Sequence, residues 1–302
     1  MSQAAHVDTN VHRLHPQWTT WWITMHLLGL TGLVYACVEG ISGRAEILAT
    51  VAFALLFMRA ELYSITLLHR HVAHKSFDTT WWVRAVMFVL FFSTLEAWAK
   101  AWVGWHRQHH ARTDTRHDRH SPRYWKSFFH AQGGWHMKTA FLRPAPNMFI
   151  SDLTKEESRS EFDPLTTMDE RYKWWAIGMS FVLPTLVCGF GWGDWWGGLL
   201  FAGFTRLVLV QHLTSTINSI SHMWGDTVEE GSSATNTRSN FFAWLVVGEP
   251  WHGNHHKVSN SYRFGWDPGQ CDPGANFIEW LARRGWAWNL RTRGEILYKR
   301  VS

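Results

Sequence analysis

The stretch AVMFVLFFSTL, Ala85 to Leu95, decides how this chain folds, because it is apolar enough to enter a membrane and too short to cross one. It holds 11 residues between Arg84 and Glu96. As a helix it reaches about 17 Å, against about 30 Å of hydrocarbon. Before it stands HRHVAH, with His69 and His74, and after it WHRQHH, with His106, His109 and His110. A crossing would place these two groups on opposite faces of a bilayer. A buried or interfacial helix leaves them on one face, free to meet.

Four other runs are long enough to cross. The 21 residues of Trp18–Val38 contain no Asp, Glu, Lys or Arg, and further apolar runs cover about 46–68, 173–190 and 195–217. The short connectors EGISGRAE and GWGD join them in pairs, so each pair returns to its starting side. The reading is an all-α membrane protein of four transmembrane helices, with a cytosolic cap formed by 69–171 and 218–302. Four buried helices of a soluble bundle are the alternative. The N-terminus lacks the pattern of a cleavable signal, so none is expected. Residues 69–171 hold 15 of the 29 Lys and Arg, and the positive-inside tendency puts that face in the cytoplasm, of a bacterial inner membrane or the endoplasmic reticulum. The 22 tryptophans suit a bilayer interface, and the net charge of +5 suits a membrane surface or an acidic partner. No nucleic-acid partner is expected. Cys37, Cys188 and Cys271 stand far apart and form no metal or disulfide pattern.

Histidines carry the chemistry. WHGNHH supplies His252, His255 and His256 in the same spacing as His106, His109 and His110, and NSISH supplies Asn218 and His222. Positions i, i+3 and i+4 share one face of an α-helix, so each H-x-x-H-H aims three imidazoles in one direction. His69 and His74, five apart, lie about 140° apart on such a helix. His69 is therefore expected to end the second span, and His74 to ligate from the turn after it. Nine motif histidines exceed one four-coordinate ion, so two metals are expected; imidazole suits zinc, copper, iron and nickel.

These boxes, in this order, resemble the membrane fatty acid desaturases of the stearoyl-CoA (delta-9) type. The resemblance runs from about Tyr63 to Arg293 and includes DTRHDRHSP after the second box, FVLPTLV in the third span and GEPWHGNHH around the third box. It implies a single desaturase domain over 1–302, a cytosolic cap carrying a di-iron centre, and dioxygen-dependent desaturation of an acyl chain. It implies that His69, His74, His106, His109, His110, His222, His252, His255 and His256 bind iron, and that Asn218 reaches iron through water. An unactivated methylene offers no acidic proton, so a redox metal must act on it while the protein holds the chain. Asp114, Asp118 and Glu249 are candidates to orient the imidazoles, with solvated loop acids or a cap as the other reading. His117, His120, His130 and His136 are read as supporting or surface groups, His71 as lying off the ligand positions, His212 as a satisfied buried histidine near the site, and Arg59 and Glu61 as snorkelling or pairing near the cytoplasmic end of the second span.

Pro250 replaces the glycine usual before the third box, and EAWAKAWVGW lacks the residues by which animal members approach CoA. Acyl-CoA, acyl-lipid and acyl carrier protein substrates therefore all stay open. The chain shows no haem, iron–sulfur or dinucleotide motif, so electrons are expected from a carrier of cytochrome b5, ferredoxin or rubredoxin type with its reductase. Arg112, Arg116, Arg119 and Arg123 offer it a basic dock. The alternatives are a hydroxylase on the same scaffold and, from another class, a histidine-rich membrane metal-binding or transport protein.

Overall fold

The computed structural model describes residues 13–138, 145–154, 174 and 176–296. The cap segments 139–144 and 155–171 named above lie outside the described residues, as do both chain ends.

Helix α1 spans Pro16–Ile41 and α2 spans Ala45–Leu67, continued by a π-helical turn over Leu68–Ala73. Pro16 opens α1 where a missing N–H leaves no helical bond unmade. By length and composition, α1 and the continuous stretch Ala45–Ala73 could each cross a membrane. The third apolar run is a π-helical turn, Gly178–Val182, leading into α5, Leu183–Trp192. The fourth is helical throughout: α6 (Trp195–Leu199), a π-helical stretch Leu200–Thr205, and α7 (Arg206–Ser219). Gly32 lets α1 close onto that stretch, since a Cβ there would stand 2.2 Å from the Leu200 carbonyl oxygen.

π-Helical turns disturb the regular backbone ladder, and in an apolar setting the carbonyls they release need donors. Arg206 supplies them. Its Nε donates to the Ala202 carbonyl at 2.7 Å and its Nη2 to the Ser180 carbonyl at 3.0 Å, while Nη1 pairs with Glu61 of α2. Arg206 and Glu61 are both buried, so the pair read from sequence as Arg59 with Glu61 is instead Arg206 with Glu61. Arg59 caps the Trp244 and Leu245 carbonyls and lies over the Trp244 ring.

The Ala85–Leu95 stretch falls largely in α3, Trp81–Phe92, a helix of 12 residues and therefore about 18 Å. Met87, Phe88, Phe91 and Phe92 pack into the main core with Leu62 and Ile65 of α2 and Val103 of α4, Ala99–Arg112. One face of the helix is buried in that core while Trp81 and Val86 on the other are exposed, and the segments before and after it bring the rings of His74 and His106 within 4.8 Å. Two short antiparallel ladders join segments outside these helices: Asp78 and Thr79 face Trp288 and Ala287, and Asp226 and Thr227 face Asn236 and Thr235.

Candidate metal centre

Ring geometry begins with the first box. His74 lies in the turn that follows the helix, as expected, but the α-helical period assumed for His69 and His74 does not hold there. Residues 68–73 are π-helical, and His74 N donates to the His69 carbonyl at 3.2 Å, an i to i+5 bond. The wider turn brings residues five apart onto one face, and the two rings lie 4.9 Å apart.

Helix α4 presents His106, His109 and His110, and α8, His252–Lys257, presents His252, His255 and His256. His222 follows α7 in a single 3₁₀ turn. The nine histidines fall into two neighbouring groups. His69, His74, His106, His110 and His255 bring ligand nitrogens within 4.8 Å of one another, and so do His109, His222, His252 and His256. Each H-x-x-H-H box therefore divides: His106 and His110 serve one group and His109 the other, while His255 leaves His252 and His256.

The facing atoms are Nε2. His69 and His255 meet at 3.1 Å, His74 and His106 at 2.7 Å, His110 and His255 at 2.8 Å. In the second group His109 meets His256 at 3.2 Å, and His252 meets His222 and His256 at 3.0 Å each. Three Nδ1 atoms have side-chain partners, while those of His252 and His255 are buried without a hydrogen bond. His69 Nδ1 donates to Glu249 at 2.6 Å, His109 Nδ1 to Asp118 at 2.9 Å, and His222 Nδ1 lies 3.0 Å from the Ser233 hydroxyl. Burial, then the neighbouring imidazoles, hold His74, His106, His110, His222, His252, His255 and His256 well below the usual imidazole range. These seven rings are thereby held in the neutral form, and the lone pairs of the clusters crowd together out of water. Such an arrangement costs free energy unless a cation occupies it. Neutral nitrogen donors oriented by outer carboxylates fit a borderline transition metal.

Of the three acids singled out in the sequence, two touch the histidines. Burial pushes the Glu249 carboxyl up, but His69 and Arg70 more than reverse this, and Arg70 is itself shared with Asp272. Asp118 is driven low despite its burial by His109 and His120. Asp114 stands one step back, its backbone N–H donating to Asp118 and its carboxylate accepting from Ser121.

Asn218 lines a cavity shared with His69, His106, His109 and His252. His71 bonds the Phe77 carbonyl at 2.8 Å, His130 the Arg119 carbonyl at 2.7 Å, and His117 is exposed beside Arg116. His120 lies closer in than a surface reading gives it, its ring 4.5 Å from His109 and its pKa lowered by burial to about 3. His212 meets a residue that sequence reasoning passed over: His26 of α1, at 2.8 Å between Nε2 atoms. Its only signal was a histidine inside a run otherwise free of charge. Arg119 is 8% exposed and packs over Trp105, so of the four arginines only Arg112, Arg116 and Arg123 are exposed.

The cavity continues past the histidines between α2, α7 and α4. Glu96 enters its wall, accepting from Trp102 Nε1 at 3.0 Å, and the Trp102 ring stacks on His106 at 5.2 Å. The result is a mainly aromatic and aliphatic passage ending on two imidazole clusters.

Paired apolar helices and these two clusters define a helical, histidine-box protein whose clusters could each hold a metal ion. The family model for fatty acid desaturases matches residues 45–260, and the chain belongs to that family. It is 30% identical over 290 residues to a probable acyl-CoA desaturase of Schizosaccharomyces pombe, covering 93% of this chain and 58% of that one. It is 28% identical over 302 residues to acyl-CoA desaturase 1 of Saccharomyces cerevisiae, covering 94% and 55%. The chain thus spans little more than half the length of these two relatives. With the sn-1 stearoyl-lipid 9-desaturase of Anabaena variabilis it shares 29% identity over 274 residues, 90% of this chain and 93% of that protein.

Proposed function

We propose that this chain is a membrane-embedded, dioxygen-dependent fatty acyl desaturase of delta-9 type. Four spans carry a cytoplasmic cap in which His69, His74, His106, His110 and His255 hold one iron, and His109, His222, His252 and His256 a second. Asn218 faces the second through water. The observation that carries this reading is the meeting of all nine box histidines at the inner end of an apolar passage.

Two irons held there would supply the one-electron chemistry that breaks unactivated C–H bonds with dioxygen as oxidant. The chain's own residues do the rest. Glu249 and Asp118 fix ring orientation through His69 and His109. Trp102, held by Glu96, presses one wall of the passage against His106, limiting where a methylene pair can rest. Forming one double bond while dioxygen becomes two waters consumes two further electrons and two protons. A separate carrier of cytochrome b5, ferredoxin or rubredoxin type supplies the electrons.

Lipid profiling of cells expressing the chain, by mass spectrometry with double-bond localisation, tests the activity. A new delta-9 double bond is expected with the full chain and lost with His106→Ala, His110→Ala or His255→Ala. A hydroxylated product overturns desaturation, and iron analysis giving fewer than two ions per active chain overturns the paired centre.

A further inference from the structure

The passage has a mouth, and its position bears on how substrate arrives. Among the cavity's described lining residues, only Trp18 and Trp21 are exposed, at 48% and 39%. Both belong to the first two turns of α1, a helix able to cross a membrane. Further along α1, Leu27, Leu30 and Val34 are exposed at 60%, 59% and 54%, the pattern of a lipid-facing helix side. The mouth therefore sits where α1 leaves the bilayer, at the depth where interfacial tryptophans gather.

The opposite lip belongs to the cap. Leu14 bridges Lys138, and His15 N donates to the Met137 carbonyl at 2.8 Å, strapping the start of α1 to the segment Gly133–Lys138. Gly133 has φ +135°, and a Cβ there would meet Trp22 at 2.8 Å, so the cap backbone lies directly against the indole.

Just inside, the wall carries polar atoms that satisfy one another. Gln132 Nε2 donates to the His212 carbonyl at 2.9 Å, His212 meets His26, and His26 Nδ1 donates to the Trp22 carbonyl at 2.7 Å. Bonded in this way, the imidazoles satisfy one another at the wall, with the His26 ring stacked on Trp22 at 3.6 Å. No Lys or Arg lines it among the described residues.

We propose that the acyl chain slides sideways out of the bilayer between Trp18 and Trp21 of α1 and the cap segment Gly133–Lys138, and that the substrate is a membrane glycerolipid. This rests on the desaturase reading above and chooses among its three carriers. A chain leaving lipid for an aromatic passage exchanges one apolar setting for another, whereas the phosphates of a thioester presented from water would find no Lys or Arg among the described lining residues, and Lys138 of the lip is held by His130 Nδ1 at 3.0 Å.

The test is photo-crosslinking in lipid nanodiscs, using the full chain. One probe is phosphatidylcholine with a diazirine midway along its sn-1 stearoyl chain; the other is stearoyl-CoA with the same diazirine. Trp21→Cys, alkylated with a bulky maleimide after folding on a background lacking the three native cysteines, closes the mouth. Leu27→Cys, treated alike, is the control. Peptides containing Trp22, Trp105 and Trp135 are expected to carry the phospholipid probe, to lose it when position 21 is blocked, and to keep it when position 27 is blocked. Labelling of those peptides by the CoA probe, unaffected by the block and without labelling by phospholipid, overturns lateral entry and leaves the acyl cavity standing. Absence of both probes from the cavity overturns the inference together with the acyl-chain reading.

Discussion

Glu249 Oε2 accepts a hydrogen bond of 2.6 Å from His69 Nδ1, joining the end of the second apolar helix to a turn 180 residues later. The same carboxylate takes Arg70, so one buried acid orients an imidazole and anchors its helical turn.

Glu249→Gln removes the charge and keeps the shape. Metal affinity is expected to fall by about 10–100-fold. Chelator titration of the purified protein measures it, and native retention of metal would show that the bond does not orient His69.

Glu96 carries a pH dependence. Burial pushes its carboxyl up to about 7, against opposing hydrogen bonds with Thr214 and Trp102. An unfolded Glu titrates near about 4.3. Between these values the unfolded chain loses a proton that the folded one keeps, so stability falls as pH rises from about 4.3 to about 7 and then levels. Glu96→Gln still offers Trp102 an acceptor and removes the titration. Its unfolding temperature, relative to the parent, is expected to gain most above pH 7; an unchanged difference from pH 5 to 8 refutes this.

Arg206 and Glu61 form a buried pair between α7 and α2. Removing one partner strands a buried charge, at a cost of about 3–5 kcal/mol. Arg206→Met alone is expected to destabilise strongly, and Arg206→Met with Glu61→Leu to recover part of the loss. Equal losses would assign the effect to the carbonyls Arg206 serves, not to the pair.

Topology is open to labelling. On a background lacking Cys37, Cys188 and Cys271, Gly43→Cys is expected to react with an impermeant maleimide from outside, and Thr115→Cys only after permeabilisation. Outside labelling at position 115 would separate the boxes from a cytoplasmic face.

A dock for the proposed electron carrier would rest on three of the four arginines, since Arg119 is buried. Arg112→Gln with Arg116→Gln is expected to flatten the fall in turnover as salt shortens the Debye length below about 10 Å. A raised substrate KM with unchanged salt dependence would assign these arginines to the lipid head group instead.

The family, the shortness of the Ala85–Leu95 stretch and the identity of the clustered histidines were legible in the sequence, because each rests on spacing along the chain. An apolar run of 11 residues is short in any fold, and H-x-x-H-H aims inward wherever a helix carries it. The tertiary structure decided the rest. It divided each box between two clusters, because helices α4 and α8 meet face to face and neighbouring rings must point to different centres. It turned His69 and His74 the same way through a π-helical turn that the α-helical period does not describe. It paired Glu61 with Arg206, buried Arg119 on Trp105, and brought His26 to His212 across 186 residues. Such partners are fixed by which helix faces pack together, a long-range property that local spacing does not encode.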